Sequence, residues 1–92
     1  MMTCAPILLF VYNRPGHTRR CIESLTRNAL AADSTLYIYA DGPKDTTQQS
    51  AVDEVRSYLR TISGFKTMNL IERKDNWGLA RNIIDGVTTQ VN

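Results

Sequence analysis

Ninety-two residues, 42% apolar and 22% charged, are enough chain for one small globular domain and leave little for a second. A formal charge of +2 is too small to argue for nucleic acid, and no apolar run approaches the roughly 20 residues that cross a bilayer. Cys4 and Cys21 show no metal or redox spacing, which favours reduced, partly buried thiols and a cytosolic chain.

The first twelve residues lack a basic leader and a small-residue cleavage site, so they read as a strand and not as a signal. Ile7 to Tyr12 is apolar at consecutive positions, the pattern of a central parallel strand covered on both faces. Asn13-Arg14-Pro15-Gly16 ends it, and Pro15 suits the first turn of a helix because its missing N–H would have no partner there. Ile22, Leu25 and Ala29 then recur at helical spacing, with Arg19, Arg20, Glu23 and Arg27 mostly on the other side. After a polar link, Leu36 to Ala40 forms a buried strand that ends in Asp41-Gly42-Pro43, a carboxylate followed at once by a turn.

A second helix follows, capped by Asp45 or Thr46, with Thr46 to Gln49 at capping-box spacing. Val52, Val55, Leu59 and Ile62 share its inner face; Asp53, Glu54, Arg56 and Arg60 turn outward, and Gly64 is placed to stop it. Lys66 to Glu72 is a third strand, less apolar and so nearer an edge. Beyond the charged Arg73-Lys74-Asp75 loop, Asn76 can cap a last helix whose buried stripe is Ala80, Ile83, Ile84, Val87 and Val91.

The order β-α-β-α-β-α with short links requires right-handed crossovers and a covered sheet, so the expected fold is a three-layer α/β/α, Rossmann-like parallel sheet. Residues 1–92 read as one N-terminal half-domain, because the helical stripe still runs at Val91-Asn92. Three strands leave a sheet edge open, which invites self-association with a second copy.

The expected site lies at the carboxyl ends of the strands, where open α/β sheets bind ligands. The P-loop and the dinucleotide fingerprint are both excluded, since Gly16 is the only glycine between Asn13 and Arg20. What remains is Tyr12 and Asn13 after the first strand, Asp41 after the second, and Arg73 and Lys74 after the third. A flat base can stack on Tyr12 while Asp41 accepts a ring N–H and a cation meets phosphate. Alternatively Tyr12 is a rim aromatic, and Asp41 a turn residue bonding its own backbone. Arg14, Arg19 and Arg20 form either an anion site at a helix start or a solvated face. His17 has no Ser, Cys or carboxylate at recognisable catalytic spacing and reads as a surface or capping residue.

Taken together, Val11-Tyr12-Asn13-Arg14, Cys21-Ile22-Glu23-Ser24-Leu25, Tyr39-Ala40-Asp41-Gly42-Pro43 with Asp45, and Asn76-Trp77-Gly78-Leu79-Ala80-Arg81-Asn82 resemble the N-terminal half of family 2 glycosyltransferases of the GT-A fold. The resemblance implies that the nucleotide of a sugar-nucleotide donor, often UDP, binds across the strand ends. Tyr12 would correspond to the base-stacking residue, Asp41 to the carboxylate reading the pyrimidine, Asp45 to a motif carboxylate, and Arg73 or Arg81 to a cation near base or phosphates. A full-length enzyme of this kind transfers the sugar to an acceptor hydroxyl, with Mg2+ or Mn2+ bridging the diphosphate. This sequence departs from the pattern at Ala40, where an aspartate is usual, and at Pro43, where a serine is usual. No Asp-x-Asp or Asp-Asp occurs in it, so no bound cation and no turnover are expected of these residues alone. The rival expectation is a non-enzymatic α/β interaction module that associates through its open edge.

Overall fold

The computed structural model describes residues 6–28 and 31–91. Three parallel strands, β1 (Ile7–Val11), β2 (Thr35–Ala40) and β3 (Thr67–Glu72), lie side by side in that order, and α1 (Pro15–Thr26), α2 (Gln49–Leu59) and α3 (Leu79–Val91) follow them in turn. The protein is therefore α/β with a Rossmann-like arrangement. Cys4, Ala29 and the side chain of Val91 lie outside the described residues.

Strand register sorts the side chains into two layers. Ile7, Leu36 and Met68 align, as do Leu9, Ile38 and Leu70, and this face packs on Ile22 of α1 and on Val55 and Leu59 of α2. Leu36, Ile38, Val55 and Leu59 are fully buried there. Alternation sends Leu8, Phe10 and Tyr39 to the opposite face. There Phe10 and Tyr39 stack at 5.4 Å, and α3 lies over them and Leu8 through Gly86.

Several expectations are corrected. β1 is not central: it is a half-buried edge, and β2 holds the centre, because α1 and α2 both carry the chain onward in the same direction across one sheet face. A 3-10 turn, Ala31–Asp33, occupies the polar link, and another, Thr46–Gln48, precedes α2. Asp45 caps that second turn, so the box beginning at Thr46 does not form. α2 ends at Leu59, well before Gly64, which takes a positive φ of 100° in the loop leading to β3. Arg56 turns inward and donates to the carbonyls of Asp41, at 3.3 Å, and Arg73.

The largest correction concerns α3. Among its described side chains the buried positions are Asn82 and Gly86, while Leu79, Ala80, Ile83, Ile84 and Val87 are exposed, Ile84 by 66%. Glycine lets the helix axis come close to the Phe10–Tyr39 pair, where an added Cβ would meet ring atoms at 3.1 and 3.2 Å. The approach is made on the small-residue side, and among the described residues nothing covers the apolar stripe. No described helix is long and apolar enough to cross a membrane.

Candidate functional site

β2 ends in Asp41, whose backbone N–H still donates to the Val11 carbonyl at 3.0 Å and so holds the turn against the end of β1. Its side chain does not stand free in a crevice. Oδ1 accepts the backbone N–H of Gly42 at 3.0 Å and of Trp77 at 2.8 Å; Oδ2 accepts that of Gly78 at 2.9 Å and Asn76 Nδ2 at 3.1 Å. A carboxylate offers about four acceptor positions, so Asp41 is saturated from within the chain, and it is only 6% exposed. Asn76, expected as a helix cap, is instead a second strut, donating also to the Gly42 carbonyl at 3.0 Å. The β3–α3 loop crosses so close to Gly42 that a Cβ there would lie 2.5 Å from the Asp75 carbonyl oxygen. Gly78, at φ 82°, turns the loop into α3.

This clamp walls a crevice of about 400 Å³ between the end of β1, the start of α1 and the β3–α3 loop. Tyr12, Arg14, His17, Lys44, Asn76 and Asn82 are among its lining residues. Tyr12 Oη accepts the Lys44 backbone N–H at 3.0 Å, tying the β2–α2 loop to the end of β1. Asn13 lines the crevice as well and donates to the Gln48 side chain. Arg14 occupies the N-cap position of α1 without a side-chain cap, so the positive end of that helix opens toward the same space. With the Asp41 charge met by four N–H groups, Arg14, Lys44 and the helix start set the sign of the site. They favour an anion.

The structure brings Tyr12, Asn13, Arg14 and Asp41 together and leaves Asp45, Arg73 and Arg81 elsewhere. Asp45 is fully exposed and accepts the hydroxyl and backbone N–H of Thr47; those bonds hold its carboxyl below the ordinary 3.8. Arg73 lies with its guanidinium 3.6 Å from the centre of the Trp77 ring and 5.2 Å from that of Tyr39. It donates to Asn82 Oδ1 at 3.1 Å and pairs with Asp85, and its side chain is 12% exposed. Arg81 also rests on Trp77, at 4.0 Å. Neither arginine lines the crevice; the cations that do are Arg14 and Lys44.

Sequence reasoning missed Lys44, His17 and Asn82 as lining residues. Lys44 had a visible signal, standing directly after the Gly-Pro break at a strand end. For Asn82 the signal was fainter, a polar residue among the apolar positions of α3. A divalent cation finds no carboxylate cradle in the crevice: Asp41 is filled by N–H donors, Asp45 is committed to Thr47, and among the described residues no three His, Cys, Asp or Glu side chains converge. Set beside known proteins, this chain matches no family model, no curated protein and no solved structure.

Proposed function

We propose that the crevice binds the nucleotide part of a sugar-nucleotide donor, a UDP-sugar by preference, and that these residues form the donor-binding half of a glycosyltransferase. One observation carries this reading. An aromatic ring, two cations and a helix start meet around one crevice at the carboxyl ends of parallel strands. Tyr12 offers its ring to the base. Arg14, Lys44 and the α1 N-terminus offer charge and N–H groups to the diphosphate. Asp41 acts by positioning: it holds the Trp77–Gly78 backbone and thereby the crevice wall. The cation of such a transferase is not accommodated by the described side chains of the crevice.

Titrating UDP into the folded chain while following Trp77 fluorescence and backbone amide shifts tests the reading. Saturable changes with a dissociation constant of about 1 mM or tighter, localised to Tyr12, Arg14 and Lys44, are expected. Folded protein that gives no response at millimolar UDP overturns it.

The exposed α3 stripe favours a second reading, a non-enzymatic module that pairs through this surface and the β1 edge. Its signature is a dimer in sedimentation whose stability is indifferent to UDP.

A further inference from the structure

A base lying on Tyr12 finds no acceptor for its ring N–H in Asp41, whose oxygens are filled from within the chain. Asn13, the next residue after Tyr12, lines the same crevice. We propose that Asn13 is the residue that reads the base, presenting its Oδ1 to the ring N–H of uracil in an orientation fixed from Asp45 through Thr47 and Gln48. The role rests on the crevice being a nucleotide site, as proposed above, and names the group that selects the base.

The orientation follows from a chain of hydrogen bonds whose direction chemistry dictates. An ionised carboxylate only accepts, a hydroxyl donates one hydrogen, and an amide donates from nitrogen and accepts at oxygen. Asp45, its carboxyl held below the ordinary 3.8, takes the Thr47 backbone N–H at 2.9 Å and the Thr47 hydroxyl hydrogen. With that hydrogen spent, Thr47 Oγ1 accepts from Gln48 Nε2 at 3.4 Å. The nitrogen of the Gln48 amide is thereby turned to Thr47, and its Oε1 receives Asn13 Nδ2. Asn13 thus spends an N–H on the relay, and among the described residues its Oδ1 meets no donor of the chain. Turning the Asn13 amide over would set oxygen against oxygen at Gln48, so the acceptor stays presented. A base edge that carries an N–H matches it; an edge that carries a methyl there does not. Of the other crevice amides, Asn82 has its Oδ1 taken by Arg73, and Asn76 belongs to the β3–α3 wall, whereas Asn13 adjoins Tyr12 in the chain.

The test compares UDP with N3-methyl-UDP, in which a methyl replaces that ring hydrogen, by titration of the full chain and of folded variants. The parent chain should prefer UDP by about fivefold or more, the effect of one hydrogen bond. Asn13→Ala should reduce the preference to about twofold or less. Gln48→Leu, which leaves Asn13 in place without its anchor, should reduce it as well, while Gln48→Glu, which still accepts the Asn13 N–H, should retain it. A purely structural role for Gln48 would move both affinities together and leave their ratio alone. A parent chain that does not respond to UDP overturns the nucleotide site and this role with it. If the parent binds UDP but Asn13→Ala keeps the preference, or Gln48→Leu keeps it and Gln48→Glu loses it, base reading by Asn13 is overturned while the nucleotide site stands.

Discussion

The carboxylate of Asp41 accepts the backbone N–H of Trp77 at 2.8 Å, across 36 positions of sequence, and through this bond the end of β2 holds the loop that opens α3. Four donors converge on that one side chain, and three of them come from Asn76, Trp77 and Gly78. Asp41→Asn removes the charge and presents an amide N–H2 to groups that can only donate. Hydrogen bonds to a charged group contribute about 1.5–3 kcal/mol each, and burying unmatched donors costs a similar amount, so a loss of about 2–4 kcal/mol is expected. Urea denaturation measures it. A midpoint equal to that of the parent protein would mean that the carboxylate is not the clamp.

Gly42 sits where the β3–α3 loop passes over the β2 turn, and the atoms it faces are backbone, which cannot rotate aside. Gly42→Ala should therefore cost about 2 kcal/mol or more, against the small gain in chain stiffness that alanine normally brings. At this chain length a loss of that size lowers the thermal midpoint by roughly 8–16 °C. A midpoint that rises instead would show that the loop does not approach as described.

Arg73 joins β3 to α3 through a flat guanidinium shared among Trp77, Tyr39, Asn82 and Asp85. Lysine keeps the charge and loses the plane, so Arg73→Lys should destabilise by about 1–2 kcal/mol. Its UDP affinity, measured on the folded fraction, should fall by less than about twofold, because Arg73 is not at the crevice. A tenfold weakening of UDP with unchanged stability would restore Arg73 to the ligand.

Lys44 and Tyr12 allow ring and charge to be separated. Lys44→Ala should weaken UDP by about three- to tenfold at low salt and by less at high salt, as expected of an exposed charge. Tyr12→Ala should weaken it at all salt concentrations, while Tyr12→Phe keeps the ring and loses only the bond from the Lys44 backbone. Isothermal titration at two ionic strengths distinguishes these patterns. Equal affinity in all three variants would detach the crevice from the nucleotide.

Asp45 supplies a pH-dependent contribution whose sign is set by Thr47. The Thr47 hydroxyl and N–H favour the ionised carboxyl, so the folded-state pKa lies below the ordinary 3.8. The stability it adds is present above the unfolded value and is lost as pH falls through the folded one. Asp45→Asn should thus be less stable than the parent chain at pH 6, and the gap should close in the acid range below pH 3.8. Thermal melts across that range are the check, and a gap that widens toward low pH contradicts the assignment.

Periodicity alone was enough for the architecture. Consecutive apolar runs placed β1 and β2, the less apolar third run placed β3, and the i, i+3, i+4 recurrence of Val52, Val55 and Leu59 placed α2, because these patterns report burial, which local spacing encodes. Tyr12, Asn13, Arg14 and Asp41 could be assigned to one rim because they lie within three residues of the ends of β1 and β2, and parallel strands end on the same side. Arg73 follows β3 in the same way, but its stacking on Trp77 and its pairing with Asp85 draw it off the crevice.

What Asp41 does could not be read this way. Its partners lie more than thirty positions away, in a loop whose path is decided by how closely Gly42 lets it pass. The same holds for α3. Its apolar stripe reads as core by spacing, yet Gly86 meets the Phe10–Tyr39 pair and Asn82 is buried against Arg73 and the Gly78 carbonyl, contacts that the periodicity of the helix taken alone does not encode. Local sequence determined which segments became strands and helices. Long-range packing decided which face of α3 was covered, and that Asp41 holds its neighbours in place.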